Sequence, residues 1–156
     1  LVMIDIMIRT TSLECPFGGI GQDMCDYALS LQDTIVSHLS DYEPNSVFKT
    51  DIWDRPGGGG GRTCVIEDGL IFEKGGVNVS AVEGLISTPH EVQMFQQLLQ
   101  QQNRSCPLDN AHFFATGISL VLHPRHPLVP IVHMNYRYFE MRTQQHTIWW
   151  FGGGTD

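Results

Sequence analysis

Apolar residues recur at Met24, Ala28, Leu31, Ile35 and Leu39 and stop short of Pro44. A spacing of three to four residues marks one face of a helix that packs on a core. The stretch STPHEVQMFQQLLQQQ carries the same period and a start signal. Thr88 is the N-cap, Pro89 takes the first helical position and Glu91 completes a capping box. Val92, Phe95 and Leu98 or Leu99 form its apolar face, and the glutamine run is its solvated side. Elsewhere the period falls to two. SVFKTDIW reads as a strand, RPGGGGGR as a flexible break, and TCVIEDGLIFEKGGVNVSAVEG as two or three short strands with turns at Asp68-Gly69 and Gly75-Gly76. TGISLVLH, PIVHMNYRYFE and HTIWWF are strand-like again. Helix, strands, helix, strands predicts an α+β protein with a largely antiparallel sheet. The connections are too short for parallel crossovers, except around the second helix. Residues 1–22 show no period and are left unplaced.

A chain of 156 residues suits one domain with a sizeable core. Hydrophobic residues make up 42% and charged residues 17%, a globular composition. A net charge of -8 with no Lys/Arg run argues against nucleic acid as a partner. The opening LVMIDIMI is too short to span a bilayer and carries an aspartate. It also lacks a basic n-region and a cleavage site, so it is not read as a signal peptide. Leu1 in place of methionine suggests a trimmed start. Cys15, Cys25, Cys64 and Cys106 form no CxxC pair, and reduced thiols in a cytosol-like compartment are expected.

PGGGGGRT invites a phosphate-loop reading, but Arg62 stands where the motif needs glycine, and a strand follows where a helix is required. The run is either a mobile loop or a loop that lets backbone approach a ligand. SLVLHPRHPLVPIVHMNYRYF holds the strongest constellation. Strand alternation puts Ser119 and His123 opposite Ile118, Leu120 and Leu122, and puts His133, Asn135 and Arg137 opposite Val132, Met134, Tyr136 and Tyr138. The proline-rich link from Pro124 to Pro130 is a stiff hairpin-like connection. If the two strands pair, one sheet face gathers serine, two histidines, asparagine and arginine, while the reverse face packs on helices. A solvated face would be rich in Lys, Glu and Thr. This one offers donors, and the Arg137 fork suits a carboxylate or phosphate. His123, His126 and His133 are candidate metal ligands, but they have no nearby carboxylate or cysteine. Ser119, His133 and Asp156 make a weak hydrolase triad, since no nucleophile elbow surrounds the serine.

FKTDIWDRPGGGGGRTCVIEDGLIFEKGGVNVS, GISLVLHPRHPLVPIVHMNYRYFE and WWFGGGTD together resemble the oxygen-dependent coproporphyrinogen III oxidase family, from about Met24 to Asp156. The resemblance implies a large, mostly antiparallel sheet flanked by helices on both sides, substrate held between sheet and helices, and a homodimer. It implies that residues 23–156 are the N-terminal half of one longer domain. The apolar, glycine-rich ending IWWFGGGTD is then expected to be a cut in mid-fold. The implied reaction converts the ring A and B propionates of coproporphyrinogen III to vinyl groups, giving protoporphyrinogen IX in haem biosynthesis. Each oxidative decarboxylation consumes dioxygen and releases carbon dioxide and hydrogen peroxide. No organic cofactor is implied.

By position, Arg137 would grip a propionate, Asp156 would accept pyrrole N–H bonds at the macrocycle centre, and His133 would donate a proton. Ser119, Asn135, Tyr136 and Arg137 would line the substrate. His123 and His133 match the metal-ligand positions proposed for bacterial members, whose other ligands lie beyond Asp156, so a divalent metal is not firmly expected. The implied location is the cytoplasm, or the mitochondrial intermembrane space for a eukaryotic chain with a removed presequence. Two departures stand out: Glu83 in SAVEG, where many members carry histidine, and His126 in HPRHP, where asparagine is common. The rival readings are a tetrapyrrole-binding homologue without turnover and an unrelated small-anion module.

Overall fold

A computed structural model describes residues 13–101, 103–108 and 110–156. The expectations for LVMIDIMI and for Leu1 lie outside the described residues. Helix α1 spans Gly19–Ser40, followed by strands β1 (Lys49–Asp54), β2 (Gly59–Glu67) and β3 (Phe72–Leu85). Helix α2 (Pro89–Gln101) precedes β4 (His112–Pro124), β5 (Val132–Arg142) and β6 (Thr147–Thr155). The strands form one six-stranded sheet in chain order, and every neighbouring pair is antiparallel. The link through α2 also joins antiparallel neighbours, β3 and β4, so the possible crossover there is not one.

Two expectations about glycine are corrected. Gly75-Gly76 is not a turn: both residues pair within β3, opposite Leu122 and Val121. A Cβ at Gly75 would sit 2.8 Å from Leu122 Cδ2, so the missing side chain makes room for a core leucine. The run at 57–61 is not a break throughout. Gly58 and Gly59 turn with φ of 105° and 89°, which L side chains rarely adopt, and β2 starts at Gly59. At Gly61 a Cβ would meet the Trp53 indole at 2.3 Å, so glycine there is a packing requirement of the β1–β2 pair.

The two sheet faces are covered differently. On one face α1 lies over β2, β3, β4 and part of β5. Cys25 and Ala28 meet Cys64, Ile66, Val77, Val79, Phe114, Ile118, Leu120 and Tyr138 in a dry core. Leu13, Cys15 and Phe17 pack on the same core. Full burial of such aliphatic side chains is worth about 1.5–3 kcal/mol each. Beyond the predicted stripe, Gln32 is wholly buried on the inner side of α1. Its Nε2 donates to the carbonyls of Arg62 (2.8 Å) and Val77 (2.6 Å), and its Oε1 accepts from Arg62 Nε at 2.6 Å. A buried amide paired this fully costs little and fixes the helix along the sheet.

On the opposite face α2 covers one end only. Phe95 and Leu99 pack with Ile86, Leu108 and Met141, and with Phe113, Phe139 and Ile148. The capping box forms as predicted: Thr88 N donates to Glu91 Oε2 at 2.9 Å, and Glu91 N to Thr88 Oγ1 at 3.2 Å. Those bonds, with a further one from Ser87, hold the Glu91 carboxyl below its ordinary range. All four cysteines are free thiols. Burial pushes Cys25 up to about 11, so it stays a neutral thiol against Thr116.

Glu43 is the buried carboxylate that holds the β2–β3 turn. Its oxygens accept from the backbone N–H groups of Leu70, of Ile71 at 2.9 Å and of Phe72 at 2.8 Å. Burial alone would raise its carboxyl. The bonds from Phe72, Ile71 and Leu70 reverse that, Arg125 adds to them, and the carboxyl is held below its ordinary value. Its contribution to stability is therefore complete above the unfolded carboxylate range and is lost as pH falls through the lower folded value. We expect Glu43→Ala, which removes the acceptor of three backbone N–H groups at once, to lose about 3 kcal/mol in urea unfolding at neutral pH. The gap between wild type and Glu43→Gln should shrink on acidification below the carboxylate range; a gap independent of pH would contradict this.

Candidate functional site: the open face beside helix α2

The β4–β5 register decides where the polar stripe goes. Gly117 pairs with Arg137, Ser119 with Asn135 and Val121 with His133. Strand alternation then places Ser119, His123, His133, Asn135 and Arg137 on one face, the one α2 leaves uncovered beyond Phe113 and Phe139. Ile118, Leu120 and Leu122 go to the dry face under α1. The pairing expected from sequence is present, and so are the two faces.

β6 adds the last predicted residue. It runs beside β5 with Gly152 opposite Arg137 and Gly154 opposite Asn135. The ladder continues past the strand: His133 N donates to the Asp156 carbonyl at 2.8 Å, and Asp156 N to the His133 carbonyl at 3.0 Å. Across that pair His133 Nδ1 lies 2.6 Å from Asp156 Oδ1. The carboxylate thus orients the imidazole and leaves Nε2 for another partner. The glycines at 152 and 154 keep the backbone bare beside Arg137 and Asn135. A Cβ at Gly154 would have nothing within 4 Å.

Over Gly117 the sheet surface sinks into a hollow of about 240 Å³, bordered by Asn78, Ser80, Val82, Ser119 and Arg137. Arg137 is exposed there, and among the described residues its guanidinium has no hydrogen-bond partner. Tyr136 also borders the hollow, but alternation sends its ring to the reverse face, where it is 45% exposed. A larger hollow of about 610 Å³, around Arg104 and Thr147–Trp150, lies at the α2 end of the sheet, away from the donors.

The three candidate metal ligands do not converge. His126 belongs to the β4–β5 link, where its Nδ1 accepts from Leu128 N at 3.2 Å. His123 and His133 share the face, but His133 is engaged by Asp156. No group of three His, Cys, Asp or Glu residues able to hold an ion is found among the described residues. Ser119 pairs with Asn135 while His133 meets Asp156, so no triad forms. Sequence reasoning missed Asn78 and Ser80, which β3 brings opposite Ser119 and Gly117. The signal was the alternation in VNVSAV, which faces both outward when read against the apolar Val77, Val79 and Ala81.

The fold and face define an α+β protein whose open sheet face carries Ser119, Asn135 and His133 beside an arginine that is unpaired among the described residues. Comparison with known proteins agrees. The family model for coproporphyrinogen III oxidase matches residues 23–156. A Prochlorococcus marinus (strain MIT 9313) relative named oxygen-dependent coproporphyrinogen-III oxidase is 46% identical over 132 residues, 84% of this chain and 34% of the relative. A Drosophila melanogaster protein of the same name is 51% identical over 110 residues, 70% of this chain and 27% of the relative. The Glycine max relative, named as the chloroplastic enzyme, is 44% identical over 80% of this chain and 32% of its own length. The chain belongs to the coproporphyrinogen III oxidase family, and it spans about a third of the length of these curated relatives.

The hollow depends on glycine at 117, where a Cβ would meet Tyr136 O at 2.3 Å and Arg137 Cα at 2.8 Å. Gly117→Ala should cost about 1–3 kcal/mol in urea unfolding, the usual penalty of overpacking. Gly154→Ala, with open space, should stay within about 0.5 kcal/mol of wild type. Equal effects at the two positions would contradict this geometry.

Proposed function

We propose that this open face is the substrate face of an oxygen-dependent coproporphyrinogen III oxidase, acting on the ring A and B propionates of coproporphyrinogen III. The observation that carries the reading is the joining of three strand ends: the His133–Asp156 contact at 2.6 Å lies on the same face as the unpartnered Arg137 and the Ser119–Asn135 pair. Arg137 supplies a bidentate grip for a propionate carboxylate. Ser119 and Asn135 add neutral donors, and Tyr136 contributes through its backbone at the edge of the hollow. Asp156 Oδ1 orients His133, and its other oxygen accepts a pyrrole N–H. His133 Nε2 is then placed to exchange a proton with the substrate.

Each turnover removes one propionate. The Cα–carboxylate bond breaks, a β-carbon hydrogen leaves, a vinyl group and carbon dioxide form, and dioxygen takes up two electrons and two protons as hydrogen peroxide. The two electrons are those of the broken β-carbon–hydrogen bond, passed to dioxygen through the electron-rich reduced ring, which ends at its original oxidation level, while the carboxylate pair becomes the vinyl double bond; no organic cofactor is assigned. Four free thiols suit a reducing compartment such as the cytosol. No helix among the described residues is long and apolar enough to cross a membrane. Residues 23–156 are proposed as part of a single catalytic domain.

The test is protoporphyrinogen formation under oxygen by protein expressed from the complete coding sequence. Arg137→Lys keeps the charge and loses the fork, at a cost of about 1.5–3 kcal/mol, so kcat/KM should fall about ten-fold or more. Asp156→Ala should fold normally and lose most turnover. Unchanged kinetics in both variants would remove this face from the mechanism.

A homodimer completes the reading. Leu70 and Ile71 in the β2–β3 turn, with Pro124, Pro127 and Val129 in the β4–β5 link, border an apolar hollow of about 510 Å³. Leu70, Leu128 and Ile131 are 61%, 86% and 53% exposed. Such a ledge is costly in water and suits a second copy. Sedimentation of the complete protein should show a dimer that Ile71→Glu with Val129→Glu converts to monomer. A dimer untouched by both charges would place the interface elsewhere.

A further inference from the structure

Asn78 stands on β3 opposite Ser119 of β4 and Thr63 of β2, on the donor face. Its Oδ1 is sealed from solvent and has no hydrogen-bond partner, the one such side-chain atom among the described residues. The amide nitrogen is not sealed. A Cβ at Gly76, the residue below it on the same face, would lie 3.5 Å from Nδ2 and 3.8 Å from Oδ1, and Asn78 borders the hollow over Gly117. The carboxamide oxygen is thus buried without a partner, and neither end of the amide is hydrogen-bonded among the described residues. A buried carbonyl without a partner destabilises a fold. A sheet position with this exposure accepts threonine or valine without that penalty. The unsealed N–H₂ is what the arrangement provides.

We infer that Asn78 is a carboxylate-binding residue, which with Ser119 and Arg137 forms a three-sided subsite for one peripheral propionate of the tetrapyrrole. The inference rests on the proposed substrate. Gly117 lies between Ser80 and Arg137 in the sheet, so the floor between the three donors carries no side chain. The location fits the periphery of a macrocycle and not its centre. Asp156 extends beside β5 while Asn78 is two strands inward from β5. The separation is therefore three strand spacings, about 14 Å at ~4.8 Å each. With Asp156 at the inner N–H groups, Asn78 falls where a propionate reaches. A hollow of about 240 Å³ also suits a side arm and not the whole ring system. Three donors of different geometry can discriminate a propionate from the vinyl group that replaces it. The vinyl has no acceptor, and its entry would leave all three unpaired.

The experiment uses protein from the complete coding sequence and the oxidised, unreactive tetracarboxylate porphyrin, with binding followed by fluorescence quenching and stability by urea unfolding. Asn78→Leu removes the orphaned oxygen with the donor, so stability should hold or rise while Kd increases about ten-fold or more. Asn78→Asp adds a negative charge and should weaken binding further. An analogue with propionates replaced by vinyl groups should bind wild type and Asn78→Leu nearly equally. Unchanged Kd in Asn78→Leu, with wild type binding normally, overturns the role of Asn78 alone. Loss of stability with unchanged Kd assigns it a structural role and also overturns the proposal. Failure of wild type to bind the tetracarboxylate overturns the substrate reading and the inference with it.

Discussion

The pairing of β4 with β5 is the constraint on which the rest of the molecule depends. Side chains alternate with a period of two, so a slip of one residue would carry Asn135 and Arg137 to the face under α1 and expose Tyr138. The apolar side prevents that slip. Ile118, Leu120 and Tyr138 are all but sealed beneath the helix, and Phe139 and Met141 are held under α2. Tyr138 adds a polar lock: its hydroxyl donates to Glu140 Oε2 at 2.7 Å, and Arg142 Nε donates to Glu140 Oε1 at 2.6 Å. Burial, then the bond to Glu140, pushes the phenol far above its ordinary range, so this donor is permanent. The donor face is exact because the opposite face cannot move.

Much of this was legible in the sequence, for a physical reason. Patterns of period two and 3.6 report which face is dry, so both helices, the paired strands and the split of Ser119 from Ile118 could be read directly. The capping box at Thr88 and Glu91 was legible because its bonds are local. The errors fell where a residue answers to a distant neighbour. Gly75-Gly76 has the composition of a turn, but the space a turn glycine leaves is here filled by Leu122. Gln32 reads as a polar helix position until the Arg62 and Val77 carbonyls are seen beneath it. The alternation in VNVSAV faces Asn78 outward, but only the pairing of β3 with β4 shows that it stands opposite Ser119. The family resemblance named His133 and Asp156 separately, and only the ladder past β6 shows them in contact.

The two helices divide the work unequally, and the inequality makes the site. α1 covers the core strands with a face of small and medium residues, Gly21, Cys25, Ala28 and Gln32, and so lies close along the sheet. At Gly21 a Cβ would already press on Cys15 Sγ at 2.5 Å. α2 meets the other face through larger residues at one end, where Phe95, Phe113 and Phe139 stack within 6.1 Å of one another and Trp150 lies 4.3 Å from Phe139. That aromatic wall ends where the polar stripe begins.

A net charge of -8 opposes the approach of the proposed anionic ligand from a distance. Placement resolves the conflict. Asp23, Asp26 and Asp33 are exposed on α1, with the full thickness of the sheet between them and the donor face. The screening length at physiological ionic strength is about 8 Å, so exposed charges at that distance contribute little at Arg137. Glu43 and Glu140 are nearer the core, but each is bound by donors of its own. What an approaching carboxylate meets at the hollow is the local field: one guanidinium, the amides and hydroxyl beside it, and Asp156 already turned toward His133, while Asp51 on the same face stands two strands beyond Asn78. A face built this way attracts an anion at contact and not from afar. Under the proposed function, such a face selects for the spacing of the carboxylates on the ligand more than for their number.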